Sequence, residues 1–148
     1  TEASSGSPDG IPTSAQLQEV LDSVELDDEG LASRRPANAL VNAFPITRLS
    51  FDVQVTGLIV NDLAEVQANI ETALTEYFRA REPFIPGLSV PPRKDRITQS
   101  GVAGLVEDVV TANNGIFTGA SLSSSSVGIT AYTLGAGEKA KLGSVAFA

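Results

Sequence analysis

Hydrophobic and polar positions alternate from Ile46 to Leu58. In ITRLSFDVQVTGL, Leu49, Phe51, Val53 and Val55 fall on one side, and Ser50, Asp52, Gln54 and Thr56 on the other. Successive strand side chains point to opposite faces, so this period of two predicts a strand with one buried and one wet face. The period then changes. Through NDLAEVQANIETALTEYFRAR, residues 61–81, the apolar positions Leu63, Val66, Ile70, Ala73, Leu74, Tyr77 and Phe78 recur at spacings of three and four, the stripe of a helix. Asn61 or Asp62 stands where a cap is needed, the segment holds no Gly or Pro, and Pro83 ends it.

The other elements are read around this pair. Residues 1–12, TEASSGSPDGIP, read as a linker. Thr13 or Ser14 caps a short helix to about Val24, with Leu17, Val20, Leu21 and Val24 as its stripe. The segment from Ala37 to Phe44 suggests a short strand. Residues 82–94, EPFIPGLSVPPRK, carry four prolines, a glycine and the apolar residues Phe84, Ile85, Leu88 and Val90, which predicts an extended excursion lying against a surface. A second helix is expected from about Asp95 to Ala112. Its Gly101 and Gly104 each weaken a helix by about 1 kcal/mol, which close approach to another element would offset. Strands follow at 115–122, 128–134 and 142–148, with a hairpin loop or tip at 123–128 and a turn at GAGEKAK. The order predicts an α+β fold: a mainly antiparallel sheet with two helices packed on one face, preceded by a helical arm. Residues 1–45 form an acidic linker and arm, and 46–148 a C-terminal α+β domain.

Composition narrows the chemistry. The chain has 148 residues, no Cys, no His and no Met. A disulfide framework, a thiolate nucleophile and a Ser-His-Asp triad are therefore impossible within it. The opening TEASSG lacks Met, so a processed chain or a fragment is expected, without a signal peptide. No apolar run approaches the roughly 20 residues of a membrane-spanning helix. Net charge is −8, and residues 1–30 hold eight acidic and no basic residues, leaving ten of each elsewhere. A neutral body with an acidic arm argues against a nucleic-acid partner.

Candidate sites are few. Gly135 and Gly137 in LGAGEKAKLG do not make a phosphate loop, since no G-K-[ST] and no following helix is present. Glu25, Asp27, Asp28 and Glu29 miss the spacing of a calcium loop. Glu107 and Asp108 are adjacent on a helix and diverge. Tyr77 and Tyr132 have no evident basic partner. No catalytic, metal-ligating or cofactor-binding residue is assigned. Arg79, Arg81, Arg93, Lys94 and Arg96 cluster around the proline-rich excursion with Phe84, Ile85 and Leu88. They read either as a patch gripping an acidic protein surface or as a solvated rim balanced by Glu76, Glu82 and Asp95.

Several blocks occur together in a familiar order: PDGIPTSAQLQEVL at 8–21, RRPANALV at 34–41, LSFDVQVTGL at 49–58, the helix at 61–81, and LGAGEKAKLGSVAFA at 134–148. The ordered set resembles the C-terminal portion of baseplate J-like proteins of Mu-like contractile-tailed bacteriophages and prophages. The matching elements are Asp9 to Thr13, Arg35 with Pro36, Val53 to Leu58, Ala68 to Phe78, and Gly137 to Val145. Full-length members have a substantial N-terminal part that has no counterpart here, and residues 1–45 would correspond to the end of their middle region. The resemblance implies a structural role in the wedge and ring of a tail baseplate. The chain would then be made in the host cytoplasm and carried in the virion. Its partners would be other baseplate proteins and copies of itself, with no nucleic acid, membrane, small-molecule substrate, cofactor or catalysis. One copy's acidic arm lying on the next copy's basic rim would suit such packing. The alternative is a small peptide- or ligand-binding module using the proline-rich loop 82–94 and a sheet edge.

Overall fold

A computed structural model describes residues 11–26, 30–31, 41–87 and 93–148. The chain divides into two compact units, Thr1–Thr47 and Arg48–Ala148.

The first unit contains α1, Ser14–Glu25. Thr13 caps it in a capping box: its hydroxyl accepts the Gln16 amide at 3.3 Å, and the Gln16 side chain accepts the Thr13 amide at 2.9 Å. The expected apolar stripe is present, yet no residue of α1 is buried. The expected strand over Ala37–Phe44 is absent from its described part, 41–44, which takes no regular structure. Its apolar positions alternate only in part, and Pro45 removes a ladder donor.

The second unit is built on β1, Thr47–Thr56, and α2, Leu63–Arg79. Asp62 caps α2, accepting the Glu65 amide at 3.0 Å. Next come β2, Arg96–Thr98, and α3, Gln99–Ala112. The chain ends with β3, Gly119–Ser124, β4, Val127–Gly128, β5, Ala131–Thr133, and β6, Glu138–Phe147. Four strands form one sheet in the order β4-β3-β1-β6, and β2 pairs with β5 in a separate ribbon. The pairs β1–β3, β3–β4 and β2–β5 are antiparallel. On the other side of β1, Ala148 donates to the Val55 carbonyl at 2.9 Å and accepts from the Gly57 amide at 2.7 Å. One residue bonding to two positions flanking its neighbour is the parallel pattern. The sheet is thus mainly antiparallel and mixed.

The sheet's inner face carries Phe51, Val53 and Val55 from β1 and Ala120 and Leu122 from β3. Helix α2 packs over β6 and α3 over β3, and the two helices pack on each other. Their buried positions are Val66, Ile70, Leu74 and Phe78 on α2, and Val102, Val106 and Val110 on α3. Phe51 stacks on Phe78 with ring centres 5.5 Å apart and meets Tyr132 edge-on at the same distance. Burying one large apolar side chain contributes about 1.5–3 kcal/mol, so this cluster is what holds the unit together.

Four boundaries depart from the sequence reading. The strand expected at 115–122 runs instead from Gly119 to Ser124, with Ile116 only bridged to Ile59 before it, so the tip expected at 123–128 narrows to Ser125–Ser126. The second helix begins at Gln99, because the hydroxyl of Thr98 accepts the Gly101 amide at 3.0 Å and Arg96–Thr98 is drawn into pairing with Ala131–Thr133. The segment expected as one strand at 128–134 divides between β4 and β5, in different sheets. Strand β6 begins at Glu138 rather than 142, so only Gly135–Gly137 turns. The two helix glycines also differ. A Cβ on Gly101 would lie 2.9 Å from the Tyr77 hydroxyl of α2, the expected close approach; one on Gly104 would meet nothing within 4 Å.

Strand β6 changes phase midway. Ala140 and Leu142 join the core, and so do Val145 and Phe147. A step of three where two is required means one extra residue, a bulge at Gly143–Ser144. Asp52 clamps it, its Oδ1 accepting the Ser144 amide at 2.8 Å and the Ser144 hydroxyl at 2.9 Å. A Cβ on Gly143 would lie 2.3 Å from that same oxygen, so a larger residue there would have to push the clamping carboxylate aside.

Candidate functional site

The basic residues singled out in the sequence gather around the C-terminal end of α2 and the start of β2, but they do not act alike. Arg81 lies over the Tyr77 ring, 3.9 Å from its centre, and reaches the Arg96 carbonyl at 3.4 Å. That placement is structural. Lys94 pairs with Glu82 at 3.6 Å, both side chains more than half exposed, which is the rim reading and contributes little. Arg79 is exposed, and its carbonyl accepts the Lys139 ammonium at 2.8 Å. Lys139 also donates to the Arg81 carbonyl at 2.9 Å, so a residue of β6 neutralises the negative end of α2. No sequence signal pointed to Lys139.

Arg93 is held differently. Its Nε donates to Asp95 Oδ1 at 2.9 Å and its Nη2 donates to Oδ2. The guanidinium also stacks 4.4 Å from the centre of the half-buried Phe84 ring. The Asp95 side chain is 1% exposed, whereas that of Arg93 remains 58% exposed. The Arg93 hydrogen bonds outweigh desolvation, and the Asp95 carboxyl is held below the usual aspartate range. Ile85 is about half exposed, and Leu88 lies outside the described residues, as do Asp9, Arg34, Arg35, Pro36, Asp27, Asp28, Glu29 and Val90.

Arg93, Asp95 and Arg96 line a cleft of about 440 Å³ with Ala131 and Thr133. Its floor is the outer face of the β2–β5 ribbon. Arg96 pairs with Thr133 across the ribbon, while Ile97 and its partner Tyr132 face the core. Alternation over three residues on each strand thus sends Arg96 and Thr98 from β2, and Ala131 and Thr133 from β5, away from the core.

Tyr132 has a partner the sequence reading missed. Its hydroxyl donates to Glu138 at 3.2 Å, and Glu138 also accepts the Gly135 amide at 2.7 Å. Burial, and then the neighbouring Glu138 charge, push the phenol pKa up, so the hydroxyl stays protonated. An early start to β6 brings this pair together. Among the described residues, no group of three or more acidic side chains is arranged to hold a metal ion, and no helix is long and apolar enough to cross a membrane. Comparison with protein-family models, curated proteins and solved structures finds no match to the chain.

Proposed function

We propose that this chain is an assembly protein, a wedge-type component of a contractile phage tail baseplate that acts through protein–protein contacts. Support for the baseplate assignment comes from the ordered set of segments from Asp9 to Val145 and their resemblance to baseplate J-like proteins. The observation that carries the assembly role is α1. Isolated helices of about 12 residues are marginal in water. This one presents Val20 at 54% and Val24 at 46% exposure and buries no residue. An amphipathic helix of that kind gains its stability from a partner surface. Tails purified from the producing host and labelled with an antibody to this chain should carry it at the distal end. Tails free of the chain would overturn the assignment. A second reading, a peptide-binding module on the 82–94 segment, is favoured by the cleft beside Arg93.

A further inference from the structure

We infer that the cleft on the outer face of the β2–β5 ribbon is a docking site for an extended acidic peptide segment of a partner protein, its carboxylates taken by Arg93 and Arg96. The inference is independent of the baseplate assignment.

Preorganisation supports it first. An arginine loses rotamer freedom when it binds, and that loss weakens most surface arginine contacts. Here the Arg93 guanidinium is already fixed, by Asp95 on one edge and by the Phe84 ring on its face. A guanidinium carries five N–H donors, and two of these engage Asp95. The other donors belong to a side chain that is still 58% exposed beside the cleft. The pair is lopsided, with its carboxylate covered and its cation presented.

Shape and charge then choose the occupant. Ala131 and Thr133 are small and lie two residues apart on one strand, so a main chain can lie flat on them beside the arginines. Unit Arg48–Ala148 holds eight basic and ten acidic residues, and five of the eight basic ones fall between positions 79 and 96. The cationic surface of a mildly acidic body is thus concentrated here, which steers an acidic partner to this face. A nucleic acid would be repelled by the chain's net charge of −8. The one aromatic ring at the site, Phe84, is covered by Arg93 and offers no base-stacking face. A phosphate dianion would meet the Asp95 carboxylate directly behind Arg93. A carboxylate, with half the charge, meets less repulsion and matches the planar fork of arginine.

The test uses the full chain and a fluorescent peptide with glutamate at alternate positions, read by anisotropy at low and raised salt. Binding should weaken with salt. Arg96→Glu should weaken it by at least about tenfold while the melting temperature is unchanged. Arg93→Ala leaves Asp95 covered and unpaired, so Arg93→Ala with Asp95→Asn serves as the folded control and should weaken binding to a similar degree. Four results would each overturn the inference. One is equal binding of the glutamine counterpart peptide. Another is no loss in Arg96→Glu. A third is inorganic phosphate competing as well as the acidic peptide, which would mark a general anion site. The last is self-association abolished by Arg96→Glu without peptide binding, which would make the occupant a second copy.

Discussion

Thr13 opens α1 and Asp62 opens α2 in the same way, a side-chain oxygen taking the amide three residues on. Both helices carry an apolar stripe at spacings of three and four. Yet α2 buries Val66, Ile70, Leu74 and Phe78, and α1 buries nothing. Capping and patterning are properties of a segment; burial is a property of its surroundings. The same local grammar accompanies burial in α2 and none in α1.

Substitutions along the two stripes should separate these cases most sharply. Phe78→Ala removes a ring stacked on Phe51 and should destabilise unit Arg48–Ala148 by about 3–5 kcal/mol in urea unfolding. Val24→Ala in α1 should stay within about 0.5 kcal/mol by the same measurement. A large loss there would show that α1 already has a partner surface.

The clamp on β6 comes next. Asp52→Ala leaves the Ser144 amide without its acceptor and should lower stability by about 1–3 kcal/mol. It should also change the acid limb. The Ser144 hydrogen bonds hold the Asp52 pKa below the usual value, so the unfolded chain takes up this proton first as pH falls. The contribution of Asp52 is present above an unfolded-state pKa of about 3.9 and lost as pH drops through the lower folded value. Urea midpoints measured between neutral pH and pH 2 should fall less steeply in Asp52→Ala than in the parent. Equal slopes would rule out the linkage.

The caps bring the comparison back to the helices. Asp62→Ala and Thr13→Ala each remove one capping acceptor, a change of about 1 kcal/mol. For Asp62→Ala the loss should appear in the melting temperature of the whole unit. For Thr13→Ala it should appear only as faster amide exchange within α1. The smallest effect is expected at the β3–β4 hairpin, where Ser125 and Ser126 both take positive φ, 50° and 64°, in a two-residue turn. Asn-Gly suits that turn far better, so Ser125→Asn with Ser126→Gly should raise stability by about 1 kcal/mol.

How much was legible follows from how long each pattern runs. Strand β1 and helix α2 declare themselves because alternation and then a helical stripe continue unbroken over ten and seventeen residues. Strand β2 spans three residues and runs directly into the cap of α3, too short for a period of two to register. The start of β6 was hidden because Glu138, Lys139 and Lys141 leave Ala140 as the one apolar position before Leu142, directly after a glycine-rich turn. Of the proposed interface, sequence proximity brought Arg93, Lys94 and Arg96 together, but their different roles depend on distant partners. The floor of the cleft, Ala131 and Thr133, is ordinary in sequence and acquires meaning only through pairing with Thr98 and Arg96.

The extra residue at Gly143–Ser144 makes β6 a sentence with two reading frames. Up to Leu142 the inward positions are even-numbered, and from Val145 onward they are odd-numbered. A single-residue deletion between these positions would close the ladder into unbroken pairing, which looks like an improvement of the strand. It would put Val145 and Phe147 in the same frame as Ala140 and Leu142, still facing inward, and would forfeit the Asp52 clamp. Shortening the strand at its most irregular point would therefore cost the clamp rather than the core.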